Sequence, residues 1–464
     1  MIDKNIKSNI ELYLWRKKMI DIVKTKYGLL KAAKSNAGYA LFRGVPYAKP
    51  PVGERRWKAP EQPDSWEGIK ICDTYGPACM QYDRWGTATD DITDDSGHEY
   101  ILKENYPYPP KMSEDCLYLN IYTPAKSDKD RLPVMMYIHG GGCQQWYGSD
   151  YEYCGDGFCE KGCILVTINY RLNVFGFFAH PELNKESPYG TSGNYGLLDQ
   201  IEALKWIYEN IEGFGGDKNN ITVFGQSSGG RSTLSLLCSP LTRGMIRHVS
   251  IQSAGGLGHF VGDRSKKDTL NTGIRFMESL GCNSIEEMRK LDAETLRDEN
   301  DRLGFLNGFN IYTDGHVLEH ETDEYFLKDL IPHDVDIIIG CTADEGANDK
   351  QPIFGINMYE RIRELCKVLK KNGHNVYNYV FDQIQPGDDV GVPHSCDNRY
   401  QFKTLDGSWR PYTKEDHDLS DRMQRYWSNF AKNGDPNDEG LNRWEPFNEN
   451  ERTMWLKADG CVMK

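Results

Sequence analysis

Apolar residues in the middle of the chain arrive in two alternating rhythms. Short apolar runs (Val134–Ile138, Cys163–Ile168, Ile221–Phe224) are bounded by glycine, proline or polar residues, and Val249–Gln252 and Val335–Ile339 are further buried strand candidates. Runs of this length, rich in β-branched residues, predict buried strands. Between them Leu197, Leu198, Ile201, Leu204, Ile207 and Ile211 recur at helical spacing, so an amphipathic helix is predicted over 197–212. A late helix is expected over 418–432, closed by the turn Asn433-Gly434-Asp435-Pro436-Asn437. Strands that are apolar throughout and alternate with helices predict an α/β fold, with a large, mainly parallel central sheet flanked by helices on both faces.

The flanking pattern is different. Residues 1–24 read as a charged, helical extension ahead of one domain over 25–464. Phe42 to Gly53 carries too much proline for a helix and predicts a fixed extended loop. Residues 82–112, rich in Asp, Tyr and Pro, predict a long polar loop.

Charge narrows the function classes. With 55 Lys plus Arg against 69 Asp plus Glu, the net charge is −14, which argues against a nucleic-acid partner. No apolar stretch reaches the length of about 18 residues that a membrane span needs. The N-terminal region carries no export signal, because its apolar piece Ile10–Trp15 is short and runs into Arg16, Lys17 and Lys18. Thirteen cysteines then predict reduced thiols and a cytoplasmic location.

Two motifs carry chemistry. Gly225-Gln226-Ser227-Ser228-Gly229 follows the strand ending at Phe224 and precedes the helix-compatible run Ser232–Cys238. That is the strand–turn–helix setting of a nucleophile elbow, whose tight turn lifts the serine Oγ clear of the sheet. A phosphate loop or a plain glycine turn would read similarly from the pentapeptide alone. His139-Gly140-Gly141-Gly142 ends an earlier strand. A tetrahedral acyl intermediate needs preorganised N–H donors, and bare glycine amides can supply them. The expected oxyanion-hole donors are the N–H groups of Gly141, Gly142 and Ser228.

With these motifs the chain resembles the type-B carboxylesterases, the cholinesterase-like branch of the α/β hydrolases. The resemblance covers roughly residues 25–458 and rests on many ordered stretches. They include Phe42–Gly53, Gly76-Pro77-Ala78-Cys79-Met80-Gln81, Ser113–Asn120, Asn169-Tyr170-Arg171-Leu172, Gly193–Gln200, Phe214-Gly215-Gly216-Asp217 and Tyr426–Ala431. It implies an α/β-hydrolase fold and a serine carboxylesterase acting on uncharged esters through an acyl-serine intermediate. It also implies a triad. The family's acid lies in an Asp-Glu-Gly motif after a buried strand, here Asp344-Glu345-Gly346, which favours Glu345 over its neighbour Asp344. Of the histidines that follow, His374, His394 and His417, only His394 sits in the family's Gly-x-x-His-x-x-Asp/Glu loop, Gly391 to Asp397. Ser227, Glu345 and His394 are therefore the expected catalytic residues. No metal and no cofactor is expected, and the partner is a small-molecule ester.

Departures from the family shape the substrate expectation. Where cholinesterases hold a choline cation on tryptophan, the matching position is Tyr106, and the glutamate before their nucleophile is Gln226. The aromatic that usually follows the glycine triplet is Cys143. Tyr106, Cys143 and Gln226 are thus the candidate substrate-pocket residues. Cys143 and Cys396 read first as small fillers and second as oxidation-sensitive thiols. Cys79 and Cys116 match a pair that is bonded in exported relatives, and here are expected to be adjacent free thiols. Glu345 and His394 are only 49 residues apart, and Ser253–Asp314 is also short, so a shallower, more open pocket is expected. The same triad would serve an esterase, lactonase or amidase acting on bulkier plant phenolic substrates. The resembled family also contains non-catalytic adhesion or scaffold members, which usually lack the serine or another triad residue and are exported.

Overall fold

The computed structural model describes residues 19–34, 37–81, 110–258, 264–304, 308–348, 355–387 and 391–464. The strands are β1 Ile22–Lys24, β2 Leu29–Ala32, β3 Ala40–Pro46, β4 Ile69–Cys72, β5 Tyr118–Thr123, β6 Leu132–Ile138, β7 Ile164–Ile168, β8 Gly216–Gln226, β9 His248–Gln252, β10 Asp336–Thr342, β11 Val376–Phe381, β12 Met454–Leu456 and β13 Val462–Met463. Three of them form a small sheet, β1-β2-β4. The other ten form the main sheet, in the order β13-β12-β11-β10-β9-β8-β6-β7-β5-β3. From β12 across to β7 every pairing is parallel, while β3, β5 and β13 join the edges antiparallel.

The central strands are buried on both faces because helices cover both. In β6, Val134, Met136 and Ile138 point into one core while Met135 and Tyr137 point into the other. The helix Tyr195–Asn210 sends Leu197, Ile201 and Leu204 into the first core. The helix Lys414–Asn433 sends Leu419, Met423, Trp427 and Phe430 into the second. Both helices lie where the apolar spacing predicts them, with shifted ends. The first closes two residues early into the 3-10 turn Ile211–Phe214. The second starts four residues early, because the capping box of Thr413 and Asp416 supplies partners for its first N–H groups.

Other expectations fare differently. The extension ahead of residue 25 is described only from Met19, and its Ile22–Lys24 stretch is β1, paired with β2. Strands of three and four residues are too short to announce themselves by pattern. Most of the predicted 82–112 loop lies outside the described residues, though Met112 bridges to Ala78. The family stretches include a buried ion pair: the Arg171 guanidinium grips both oxygens of Asp199, at 2.8 and 2.7 Å, tying the loop after β7 to the helix Tyr195–Asn210. Among the described residues no helix is long and apolar enough to cross a membrane.

Candidate active site

Ser227 stands at the crest between β8 and the helix Ser228–Cys238, with φ 57° and ψ −128°. A non-glycine residue at positive φ carries strain, so its surroundings must hold it there. They do so through the Ser227 N–H, which donates to Gln252 O at the end of β9 (2.9 Å), and through Ser227 O, which accepts from Arg231 N–H (3.0 Å). The close approach behind the turn requires Gly229, where a Cβ would stand 2.0 Å from Ile138 O.

The glycine loop after β6 faces this turn. Gly141 adopts φ 94° and Gly142 φ 66°. The hydroxyl of Ser228 accepts the Cys143 N–H at 3.0 Å, which locks the loop onto the start of the nucleophile helix. Among the described residues the N–H groups of Gly141, Gly142 and Ser228 donate to no protein acceptor, so they remain available to a ligand oxygen. His139, first in the motif, does not face a substrate. Its ring is buried, stacks on Tyr170 at 4.5 Å and bonds Gly140 O through Nδ1 at 2.9 Å. Burial pulls its pKa down to about 4, so it stays neutral.

Glu345 sits in the turn that ends β10, and is fully packed. Its Oε2 accepts from Ser253 Oγ (2.6 Å), Thr342 N–H (2.9 Å) and Thr342 Oγ1 (3.0 Å). Its Oε1 is left for Nδ1 of His394, at 2.5 Å. Burial pushes the Glu345 carboxyl up, but the His394 imidazole and the hydrogen bonds outweigh it and hold the group below the usual glutamate value. Burial pulls the His394 imidazole down, and the Glu345 charge with its hydrogen bond overcomes this, leaving the ring above the usual histidine value.

The second imidazole nitrogen, Nε2, lies 3.2 Å from the side-chain amide nitrogen of Gln226. A neutral imidazole that donates from Nδ1 to Glu345 can only accept at Nε2, so an amide N–H is the group that fits there. No Ser227–His394 hydrogen bond is formed among the described residues. Catalytic hydrogen bonds are often long before substrate binds. In this structure the Gln226 amide occupies the place at Nε2.

Asp344, the rival acid, is turned to another task. Its Oδ2 accepts Val392 N–H at 2.9 Å and its own N–H donates to Val392 O at 3.3 Å, clamping the acid turn to the histidine loop. His374 pairs with Asp329, and the half-buried His417 lies 3.6 Å from Asp406. Sequence reasoning did not single out Thr342, the capping-box residue three before Glu345, or Ser253, which comes from the end of β9 and meets Glu345 only in the folded sheet. It also did not anticipate the environment of Asp397, three residues beyond His394. That carboxyl is buried, accepts Tyr379 Oη at 3.2 Å, and is pushed up to about 6 by burial and by the Glu345 charge.

Of the expected pocket residues, Gln226 and Cys143 are both buried beside the turn and the glycine loop, and Tyr106 lies outside the described residues. Burial pushes the Cys143 thiol up to about 11 and the Cys396 thiol up as well, so neither is a ready thiolate. Cys79 and Cys116 are both buried and free, and the hydrogen bond shared with Cys79, together with burial, raises the Cys116 thiol.

Comparison with known proteins matches this architecture. The sequence pattern of the carboxylesterase family fits residues 21–357 and 353–464. The para-nitrobenzyl esterase of Bacillus subtilis (strain 168) is 31% identical over 493 residues, covering 94% of this chain and 95% of that protein. The fumonisin B1 esterase of Sphingopyxis macrogoltabida is 36% identical over 327 residues, covering 68% of this chain and 56% of that protein. A solved para-nitrobenzyl esterase structure aligns with a TM-score of 0.82 at 29% identity, over 96% of this chain and 97% of that one. A carboxylesterase of Geobacillus stearothermophilus aligns with a TM-score of 0.81 at 28% identity, over 96% and 98%. The chain belongs to the carboxylesterase family and is a carboxylic ester hydrolase.

Proposed function

We propose that Ser227, His394 and Glu345 perform the ester hydrolysis, with Gly141, Gly142 and Ser228 as the oxyanion hole. His394 takes the proton of Ser227 as Oγ attacks the ester carbonyl, and Glu345 stabilises the imidazolium. The oxyanion receives the three backbone N–H groups. The imidazolium then gives its proton to the departing alcohol, and water cleaves the acyl-serine by the same route. The observation that carries this reading is the 2.5 Å pair of Glu345 and His394, beside the positive-φ turn that bears Ser227.

Preference for uncharged esters rests on the neutral amide of Gln226, set where a fixed anion would attract a cation. The small Cys143 side chain and the short interval between acid and base support a shallower pocket that admits bulky leaving groups. A reducing, cytoplasmic setting rests on the thirteen unbonded thiols.

A panel of p-nitrophenyl esters against wild type and Ser227→Ala tests the catalytic reading. The variant folds but loses about 10⁴-fold or more in turnover. An organophosphonate labels Ser227 alone. Turnover near wild type in the variant, or label on another residue, overturns the assignment.

A further inference from the structure

Asp329, His333 and His374 meet at the end of the sheet remote from the triad. His333 precedes β10 and His374 precedes β11, whereas Glu345 and His394 follow those same two strands. A seven-residue strand separates the two ends by about 20 Å. Oδ1 of Asp329 lies 3.0 Å from Nε2 of His374, and Oδ2 lies 3.0 Å from Nε2 of His333. All three potential ligand atoms fall within 4.8 Å of one another. The two imidazole rings stack with centroids 4.4 Å apart and planes 14° apart, so both present Nε2 to the same carboxylate.

The donors are held in place by the backbone. Asp329 adopts φ 56°, a strained conformation for a residue with a side chain. It is kept there by its N–H to Phe326 O (3.2 Å) and by Leu330 N–H to Tyr325 O (2.7 Å). The Asn372 amide also donates to Phe326 O, at 2.9 Å, which pins the turn carrying His374 to the helix end that leads to Asp329. The His374 side chain is fully buried, while that of His333 is 55% exposed.

We propose that Asp329, His333 and His374 bind a divalent transition-metal ion of the zinc type, against the expectation of a metal-free chain. Two imidazoles and one carboxylate suit zinc, cobalt, nickel or copper, whereas magnesium and calcium take oxygen donors. Bonds of about 2.0–2.2 Å in a tetrahedron put neighbouring donors about 3.3–3.5 Å apart. The two 3.0 Å contacts end on different oxygens of the carboxylate, so binding turns the exposed His333 ring out of the stack until its Nε2 and that of His374 converge on one ion. Water takes the fourth position on the exposed side. The ion clamps the end of the helix Thr322–Leu327 to the turn before β11, and takes no part in ester chemistry. His374 Nδ1 is buried without a hydrogen-bond acceptor. Loss of such an outer partner typically weakens a metal site by about 10–100-fold, so binding is moderate.

The full-length protein, stripped by dialysis, is titrated with cobalt(II) and followed by visible absorption. One equivalent binds, without the near-ultraviolet charge-transfer band that cysteine thiolates would give. Asp329→Asn and His333→Ala bind at least tenfold more weakly. Hydrolysis of p-nitrophenyl acetate is the same in metal-free wild type and His333→Ala, so this result stands apart from the fate of the triad. No saturable uptake, uptake equal in both variants, or a thiolate band overturns the proposal.

Discussion

Replacing Gln226 by glutamate puts a carboxylate where an amide nitrogen now lies 3.2 Å from Nε2 of His394. At that separation an effective dielectric of about 20 gives roughly 5 kcal/mol of attraction to the imidazolium. The His394 side chain is 23% exposed, so solvent screens part of this. With about 2 kcal/mol surviving, the base rises by about 1–2 pK units. The sign follows from the mechanism. The base works in its neutral form, so kcat/KM climbs with pH through the His394 pKa, and a raised pKa moves that acid limb upward. Wild type already begins above the usual histidine value because of Glu345. The assay is the pH profile of kcat/KM for p-nitrophenyl acetate from pH 5 to 9, for wild type, Gln226→Glu and the near-isosteric Gln226→Met. The glutamate variant loses about 10–100-fold at pH 6 and recovers most of it by pH 9. The methionine variant keeps the limb within a few tenths of a unit. A limb that stays put or moves down in Gln226→Glu refutes the account of how His394 is tuned.

Ser253→Ala removes one of three donors to the inner oxygen of Glu345, a 2.6 Å bond to a buried carboxylate. Urea titration at pH 8 should show a loss of about 1.5–3 kcal/mol. The Glu345 carboxyl is depressed in the fold, so its contribution is present above the unfolded glutamate pKa and fades as pH falls through the folded one. An equal loss at pH 8 and in acid would contradict that origin. Asp397→Asn tests the opposite sign. Because the folded Asp397 carboxyl is raised to about 6, its protonated form favours the fold and wild type loses that support as pH rises from about 4 to 6. The asparagine variant therefore gains on wild type by on the order of 2–3 kcal/mol between pH 4.5 and 7. A gap that does not change with pH would sink the argument.

The parts of the molecule legible in its sequence are those where local pattern and tertiary need coincide. β6, β7 and β10 carry apolar residues on both faces, so an apolar run announces them before any partner is known. The elbow is legible because a serine between glycines, after a strand and before a helix, has few other uses. The proposed acid and base are legible in another way: spacing alone leaves Asp344 beside Glu345 and three histidines in play, and the resemblance favours Glu345 and His394. What stayed hidden depends on chain segments that meet only after folding. The donor Ser253 lies 92 residues from Glu345. The contact of Gln226 with His394 spans 168 residues, and no periodicity records it. The three-residue β1 and two-residue β13 are too short to carry a pattern. β8 runs five residues further back than its apolar core Ile221–Phe224, because the polar stretch Gly216–Asn220 continues the strand beside β6.

The two bonds between Asp344 and Val392 bear on how this catalyst could change over evolutionary time. They join the acid turn directly to the base loop, so the 49 residues that part Glu345 from His394 form a closed excursion with a fastened mouth. The excursion is anchored once more at its middle, where β11 lies between β10 and β12. Lengthening a loop whose ends are already pinned is inexpensive, at about 0.6 kcal/mol per doubling. Residues can therefore be gained or shed on either side of β11 without altering the distance between acid and base. The clamp separates the part of the protein that must stay constant from the part free to explore new acyl and alcohol shapes. A short version of the excursion is then one setting of an adjustable element, and grafting a longer one should alter which esters are accepted while the proton-transfer geometry stays as it is.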